Sequence, residues 1–452
     1  MRLKKSNLLI MLVLFLTFVF VFKVSAQFEE FIDPQIPDSW YESPQPASEV
    51  GITEFSQSPM LDEKVEEGEL PPVEERLPDD PPVVEPLEGV GKYGGTANVF
   101  GTELTFGSDA RYLELGGAAG RATPDGSDVV PFMVKDWEYS EDATEFTIHL
   151  REGLKYSDGS ECTADDYVFW WEHEAQNKDI QPVPPEEWKP VPLIDVVKED
   201  EYAVTFKYGS PNPNNHRFNG QMGTFGSWSL RPADFLKQIH PDYIGMEEAE
   251  ELADSVDLDR WEEYFARVRD DSINHPEYEM IAPTLRAYIP VKRTETMLLL
   301  ERNPYYPFVD TEGNQLPYVD EIKYNLTNDK NAAEVKAITG ESSIATEQVL
   351  SVENIPSYKE NEEQGDYRTL IFNLSRASDP YYFFNLCHEE ENFAEVVGDK
   401  RFRQAVSLAI NREDINNKVF YSEGVPTQAT VPATSEYWKQ EYAEAYAEYD
   451  PD

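Results

Sequence analysis

Cysteine is almost missing from this chain: Cys162 and Cys387 are the only two in 452 residues. Two thiols that far apart make no disulfide framework, although one bridge is feasible in an exported protein. Basic residues are also scarce. Lys and Arg total 38 against 87 Asp and Glu, a formal net charge of −49. A surface of that sign repels phosphate backbones and anionic headgroups, so nucleic acid and acidic lipid are excluded as partners. No G-x-S-x-G elbow, H-E-x-x-H helix or G-K-[ST] loop occurs, which leaves the commonest hydrolase and nucleotide motifs unrepresented. The glycine-rich "GGAAGR" at Gly116 reads as a plain loop. The six histidines are His149, His173, His216, His240, His275 and His388, and no two stand at metal-ligand spacing. No metal and no cofactor are therefore expected. His173 in "WWEHEAQ" and His388 in "CHEEEN" sit among glutamates. Adjacent helical residues point apart, so both histidines are expected on solvated faces.

Long apolar runs are absent beyond the N-terminus. The chain opens with Arg2, Lys4 and Lys5, a largely apolar stretch from Leu8 to Phe22, and the small residues Val24, Ser25 and Ala26. Residues 1–26 thus read as a signal peptide for export, since a spanning helix needs about 20 apolar residues. A retained anchor is the weaker reading. Residues 27–90 hold 18 Asp or Glu, 2 Lys or Arg and 11 Pro. Such composition buries little surface and repels itself, so an acidic, Pro-rich disordered linker is expected. Residues 91–452 form the folded body, long enough for more than one domain.

That body alternates strand and helix patterns. "YGGTANVFG" is a glycine-bounded strand. Phe146, Ile148 and Leu150 alternate with polar residues, and "YAVTFKYG" from Tyr202 does the same. Ser157-Asp158-Gly159 marks a turn. Thr163 with Asp166 three residues on is a capping-box signal ahead of Tyr167, Val168, Trp170 and Trp171. Trp261, Phe265 and Val268 form one helical stripe. Asp399 and Asn411 are expected to cap two helices near the end. Their expected inward residues are Phe402, Val406, Ala409 and Ile410 in the first, and Ile415 and Val419 in the second.

Aromatic residues are plentiful, at 13%. Most rings fill cores, but large rigid rings also suit ligand contact. The stretch "RNPYYPFVDTEGNQLPYVDEI", Arg302 to Ile322, is too apolar for an idle loop and too broken for a helix or strand. Its prolines stiffen the path and Gly313 permits a positive φ. It reads as an architectural clamp between two strands, "ETMLLLERN" and "VDEIKYNL", rather than as a ligand contact.

Together these stretches resemble the extracytoplasmic solute-binding proteins of the peptide/nickel/oligopeptide class, family 5, which serve ABC transporters. The match lies in "YGGTANVFG", in "PFMVKDWEYSEDATEFTIHLREGLKYSDGSECTADDYVFWWEH", in the clamp loop and in "FRQAVSLAINREDINNKVFYSEGVP". Lys135 stands where the family usually has alanine, and Cys162 where it usually has an apolar residue. The resemblance implies a periplasmic-binding-protein-like two-lobed α/β fold of type II. In that scheme 91–108 and 208–330 form lobe I, 109–207 an extra subdomain and 331–452 part of a second lobe, with more chain expected to complete it. It implies a protein that is no enzyme, is exported to the periplasm or envelope, is a monomer, and hands an oligopeptide or oligosaccharide to a membrane permease. Trp188, Trp228, Phe384 and Asn385 are its candidate cleft residues. An acidic surface scaffold on a degraded binding fold, or an exported hydrolase, are the alternatives.

Overall fold

Ten strands carry the architecture of the described part of this computed structural model, which comprises residues 36–102, 119–124, 127–216, 229–271, 282–346, 348–370, 382–422, 424–431 and 437–452. The expected signal peptide, Trp228, His275 and Gly116 lie outside the described residues. The strands are β1 (Thr96–Gly101), β2 (Gly120–Ala122), β3 (Val129–Pro131), β4 (Asp136–Tyr139), β5 (Glu145–His149), β6 (Leu193–Lys198), β7 (Ala203–Tyr208), β8 (Tyr288–Arg293), β9 (Met297–Arg302) and β10 (Glu321–Leu326).

One sheet runs β1-β10-β9-β8. Only β1 and β10 are parallel, with Thr96 opposite Glu321. Strand β9 pairs antiparallel with β10, Leu300 opposite Ile322. Pro290 sits in edge strand β8 beside a register shift, where a missing N–H does least harm. The second large sheet is antiparallel, β4-β5-β7-β6, and β2 and β3 form a small hairpin pair. A continuous apolar core lies under both large sheets and includes Val99, Phe146, Ile148, Leu300 and Ile322.

The alternation in β5 puts Phe146, Ile148 and the following Leu150 inside, as the sequence implies. Strand β7 departs from it. Ala203, Val204, Thr205 and Phe206 are all buried, so both faces of β7 are covered. Thr205 avoids an orphaned hydroxyl by bonding Thr147 across the pair at 2.9 Å. The capping box forms fully at helix Ala164–Phe169: the Thr163 side chain and the Asp166 carboxylate each accept a backbone N–H. That helix widens into a π-helical turn, Trp170–Ala175. Trp261, Phe265 and Val268 face a second, helical core with Leu236 and Ala253.

Residues 36–90 correct the expectation of a disordered linker. Ala47, Leu61, Val73, Arg76 and Leu77 are buried. The segment runs along the clamp loop as an added strand would. Val84 N–H donates to Val309 O at 2.8 Å and Val309 N–H to Pro82 O at 3.1 Å. Ser56 N–H donates to Gly313 O, and Gln315 N–H returns to Ser56 O. Composition misled because it averages. Three or four apolar side chains, spaced by prolines that already restrict the chain, suffice when another segment supplies both sockets and backbone partners.

The clamp loop is built as a rigid object. Phe308 is fully buried and stacks on Phe132 at 4.2 Å. The buried Asp310 accepts from Glu312 N–H, Asn314 N–H, Asn314 Nδ2 and the Tyr318 hydroxyl. Gly313 adopts φ +81°, and a Cβ there would meet Glu54 O at 2.3 Å. The loop returns the chain so that Glu301 and Glu321 stand opposite each other. The architectural reading of this stretch therefore holds.

Candidate functional site

The helices Lys400–Leu408 and Arg412–Val419 leave much of their apolar sides uncovered. Asp399 caps Lys400–Leu408 and Asn411 caps Arg412–Val419, as expected. Their expected inward faces are not inward. Phe402, Ala409, Ile415 and Val419 are exposed, Val406 and Ile410 are half-buried, and Ser407 is the buried residue of the first helix. An amphipathic pattern predicts which face is apolar, but burial needs an opposing layer. Among the described residues Phe384 meets this face at Phe402, and Phe402, Ile415 and Val419 stay exposed. Tyr382, Phe383 and Val425 stand out, at 75%, 85% and 80% exposure.

The candidate ligand residues do not converge. Trp188 is half-buried, its Nε1–H donates to Val183 O at 3.0 Å, and its ring lies 6.2 Å from that of Trp170. It lines an open depression of about 690 Å³ with Glu186, Glu187, Lys189, Pro190 and Pro192. Phe384 is half-buried and meets Phe402 edge-on at 5.7 Å. Asn385 is exposed, and its Oδ1 accepts the Cys387 N–H at 3.1 Å. No hydrogen bond or ring contact joins Trp188 to Phe384 or Asn385 among the described residues. Cys162 is buried and Cys387 exposed, and both are free.

One polar cluster was missed in the sequence. His173 is not on a solvated face: its side chain is 18% exposed and packs beside Phe169, His240 and Tyr243. His173 Nδ1 stands 2.8 Å from Asp242 Oδ2, and Tyr243 Oη 2.9 Å from His173 Nε2. His240 is fully buried; its Nε2 is 3.2 Å from His173 O and its Nδ1 3.6 Å from Asp242 Oδ2. Burial pulls the His240 pKa down, with Asp242 opposing. The short-range signal was "HPDY", which puts His240 and Asp242 two apart. Its partner comes from a π turn 67 residues earlier, which local spacing cannot reveal. His388, by contrast, is exposed as expected.

The sheets, the capped helix and the clamp loop make a mixed α/β body of the periplasmic-binding-protein type. The chain belongs to the family described as bacterial extracellular solute-binding proteins, family 5 Middle, whose model matches residues 128–452. It is 31% identical over 321 residues to a periplasmic alpha-galactoside-binding protein of Rhizobium meliloti (strain 1021), covering 65% of this chain and 42% of that one. A probable ABC transporter-binding protein of Deinococcus radiodurans is 24% identical over 332 residues, covering 68% and 48%. Among solved structures, the oligopeptide-binding protein OppA superposes with a TM-score of 0.71 at 36% identity, covering 90% of this chain and 63% of that one. The periplasmic binding protein MelB of Agrobacterium fabrum C58, solved with stachyose, gives 0.60 at 24% identity over 86% and 59% and supports the fold alone. The chain thus spans less than half the length of these two curated relatives.

Proposed function

We propose that this protein captures an oligosaccharide or oligopeptide outside the cytoplasmic membrane and delivers it unaltered to an ABC permease. The observation that carries this is the family match across residues 128–452. Its relatives are named for α-galactoside and for oligopeptide binding, so the two ligand classes stay in the proposal together. No helix among the described residues is long and apolar enough to cross a membrane, and the acidic surface suits an exported protein. The lobe assignment follows the family resemblance: 91–108 and 208–330 as the first lobe, 109–207 as the extra subdomain, 331–452 within the second. Ligand held between lobes closes the hinge because it binds the closed state more tightly. Trp188 in its depression, and Phe384 and Asn385 of the second lobe, are candidate contacts, and Trp228 is a fourth candidate.

A thermal-shift titration with stachyose and with a mixed pentapeptide pool tests this. Specific binding raises the melting temperature with ligand concentration. A rise with one class, and the probe recovered intact, is the expected result. No shift with either class, or conversion of the probe, overturns the proposal.

A further inference from the structure

We propose that His173, His240 and Asp242 bind one divalent transition-metal ion of the zinc class. One ligand atom from each lies within 4.8 Å of the other two, and this is the one such group among the described residues. Both imidazoles turn Nδ1 toward the same oxygen, Asp242 Oδ2, at 2.8 and 3.6 Å. Two imidazoles and a carboxylate are a donor set suited to zinc and its first-row neighbours.

The outer nitrogens support the same assignment. His240 Nε2 faces the His173 carbonyl at 3.2 Å, and His173 Nε2 faces the Tyr243 hydroxyl at 2.9 Å. A metal-bound imidazole engages its second nitrogen in this way, which holds ring orientation and tautomer. Behind the rings lies an apolar shell. Trp261 and Phe265 each stand 5.3 Å from His240 edge-on, and Phe169 lies 5.1 Å from His173. Asp242 is 60% exposed, so the third ligand opens to solvent and gives an ion its way in. A bound ion displaces one weak contact, Asp242 N–H to His240 Nδ1 at 3.3 Å, and the proton shared between His173 and Asp242.

The ion braces two separate pieces of backbone. His173 belongs to the π turn Trp170–Ala175 and the other two ligands to the start of Pro241–Ile244. Both pieces belong to the helical core outside the large sheets.

The test is zinc titration of the chelator-stripped chain, read by a competing chromogenic chelator and by melting temperature. One ion per chain is expected, with a rise in melting temperature. His173→Gln and Asp242→Asn should each weaken binding by about a hundredfold or more, the upper range for loss of a supporting group. His149→Ala, which alters a half-buried histidine near Asp136 and Glu138, should leave affinity and stoichiometry unchanged. Absence of stoichiometric binding, or binding undisturbed by both variants, overturns the proposal. If either variant misfolds, X-ray absorption fine structure of the zinc-loaded native chain decides. Two imidazole scatterers uphold the site, and none removes it.

Discussion

Arg76 donates to Gln315 Oε1 at 3.2 Å across 239 residues of sequence, and neither side chain reaches solvent. The same guanidinium bonds Pro71 O, Pro304 O and Gln57 Oε1. Gln315 Nε2 in turn donates to Pro304 O and Tyr306 O at 2.9 and 3.0 Å. The wrapping segment and the clamp loop thus share one buried polar node. Burial drives the Arg76 pKa down to about 10, so the ion stays charged at neutral pH and its acceptors must stay in place.

Arg76→Met keeps most of the stem and removes the donors. It takes their donor from Pro71 O and from the side-chain oxygens of Gln57 and Gln315, and an oxygen left buried and unpaired costs about 1–3 kcal/mol. A loss of about 2–4 kcal/mol in urea unfolding is expected, with faster protease cleavage inside 43–90. Arg76→Lys rescues little, because one ammonium cannot span the fork. Unchanged stability in Arg76→Met would show the node to be incidental.

Gly313 and Gly245 separate strain from collision. Both have positive φ, +81° and +92°. A Cβ on Gly245 meets nothing within 4 Å, whereas one on Gly313 strikes the Glu54 carbonyl. Gly245→Ala should cost about 1–3 kcal/mol for backbone strain alone. Gly313→Ala should cost more and loosen residues 52–57, seen as faster amide exchange at Ser56. Equal costs with unchanged exchange would mean the wrapping segment yields freely.

The adjacent tyrosines of the loop should behave differently. Tyr306 is buried, 5.2 Å from Phe308, and its truncation to Ala should cost about 3–5 kcal/mol. Tyr305 is half-buried with its hydroxyl over Gly159, so Tyr305→Ala should cost less than half as much. Thermal melts of the two variants check this; a larger loss at Tyr305 rejects the packing described.

Asp166 should make folding less favourable as pH rises. Burial raises its pKa from 3.8 to about 6, against the pull of the Ala233 and Thr163 N–H groups. The folded state therefore holds the proton more tightly than the unfolded chain. That contribution is complete below about pH 4 and is lost as pH climbs through 6, about 3 kcal/mol in all by linkage. Asp166→Asn removes the titration. The stability difference, native minus variant, should fall between pH 4 and 6; a flat difference curve sinks the argument.

Charge at −49 should make stability depend on salt. Self-repulsion is screened as the Debye length shrinks from about 30 Å at 0.01 M to about 10 Å at 0.1 M. The melting temperature should rise over that range of NaCl. A fall would mean that attractive pairs such as Arg302 with Asp320 dominate.

Elements with local codes were legible in advance. Strands β1, β5, β9 and β10, the capping box at Thr163 and the caps at Asp399 and Asn411 all rest on contacts within a few residues. The family motifs were legible for the same reason, being contiguous. The errors share an opposite cause. Val73 and Arg76 are buried by a loop more than 200 residues away, and His173 meets His240 only through the packing of the helical core. Phe402, Ile415 and Val419 were placed inside by periodicity, which names a face without naming what covers it.

The amino-acid order alone determined the strands, the caps, the acidic surface and the membership of a solute-binding family, because each is written in neighbouring residues or in bulk composition. Tertiary structure decided that 36–90 is part of the body, that β7 is buried on both faces, and that two histidines and an aspartate share one oxygen. Those depend on which distant segment supplies the missing hydrogen-bond partner or apolar wall, and only the folded chain brings the two together.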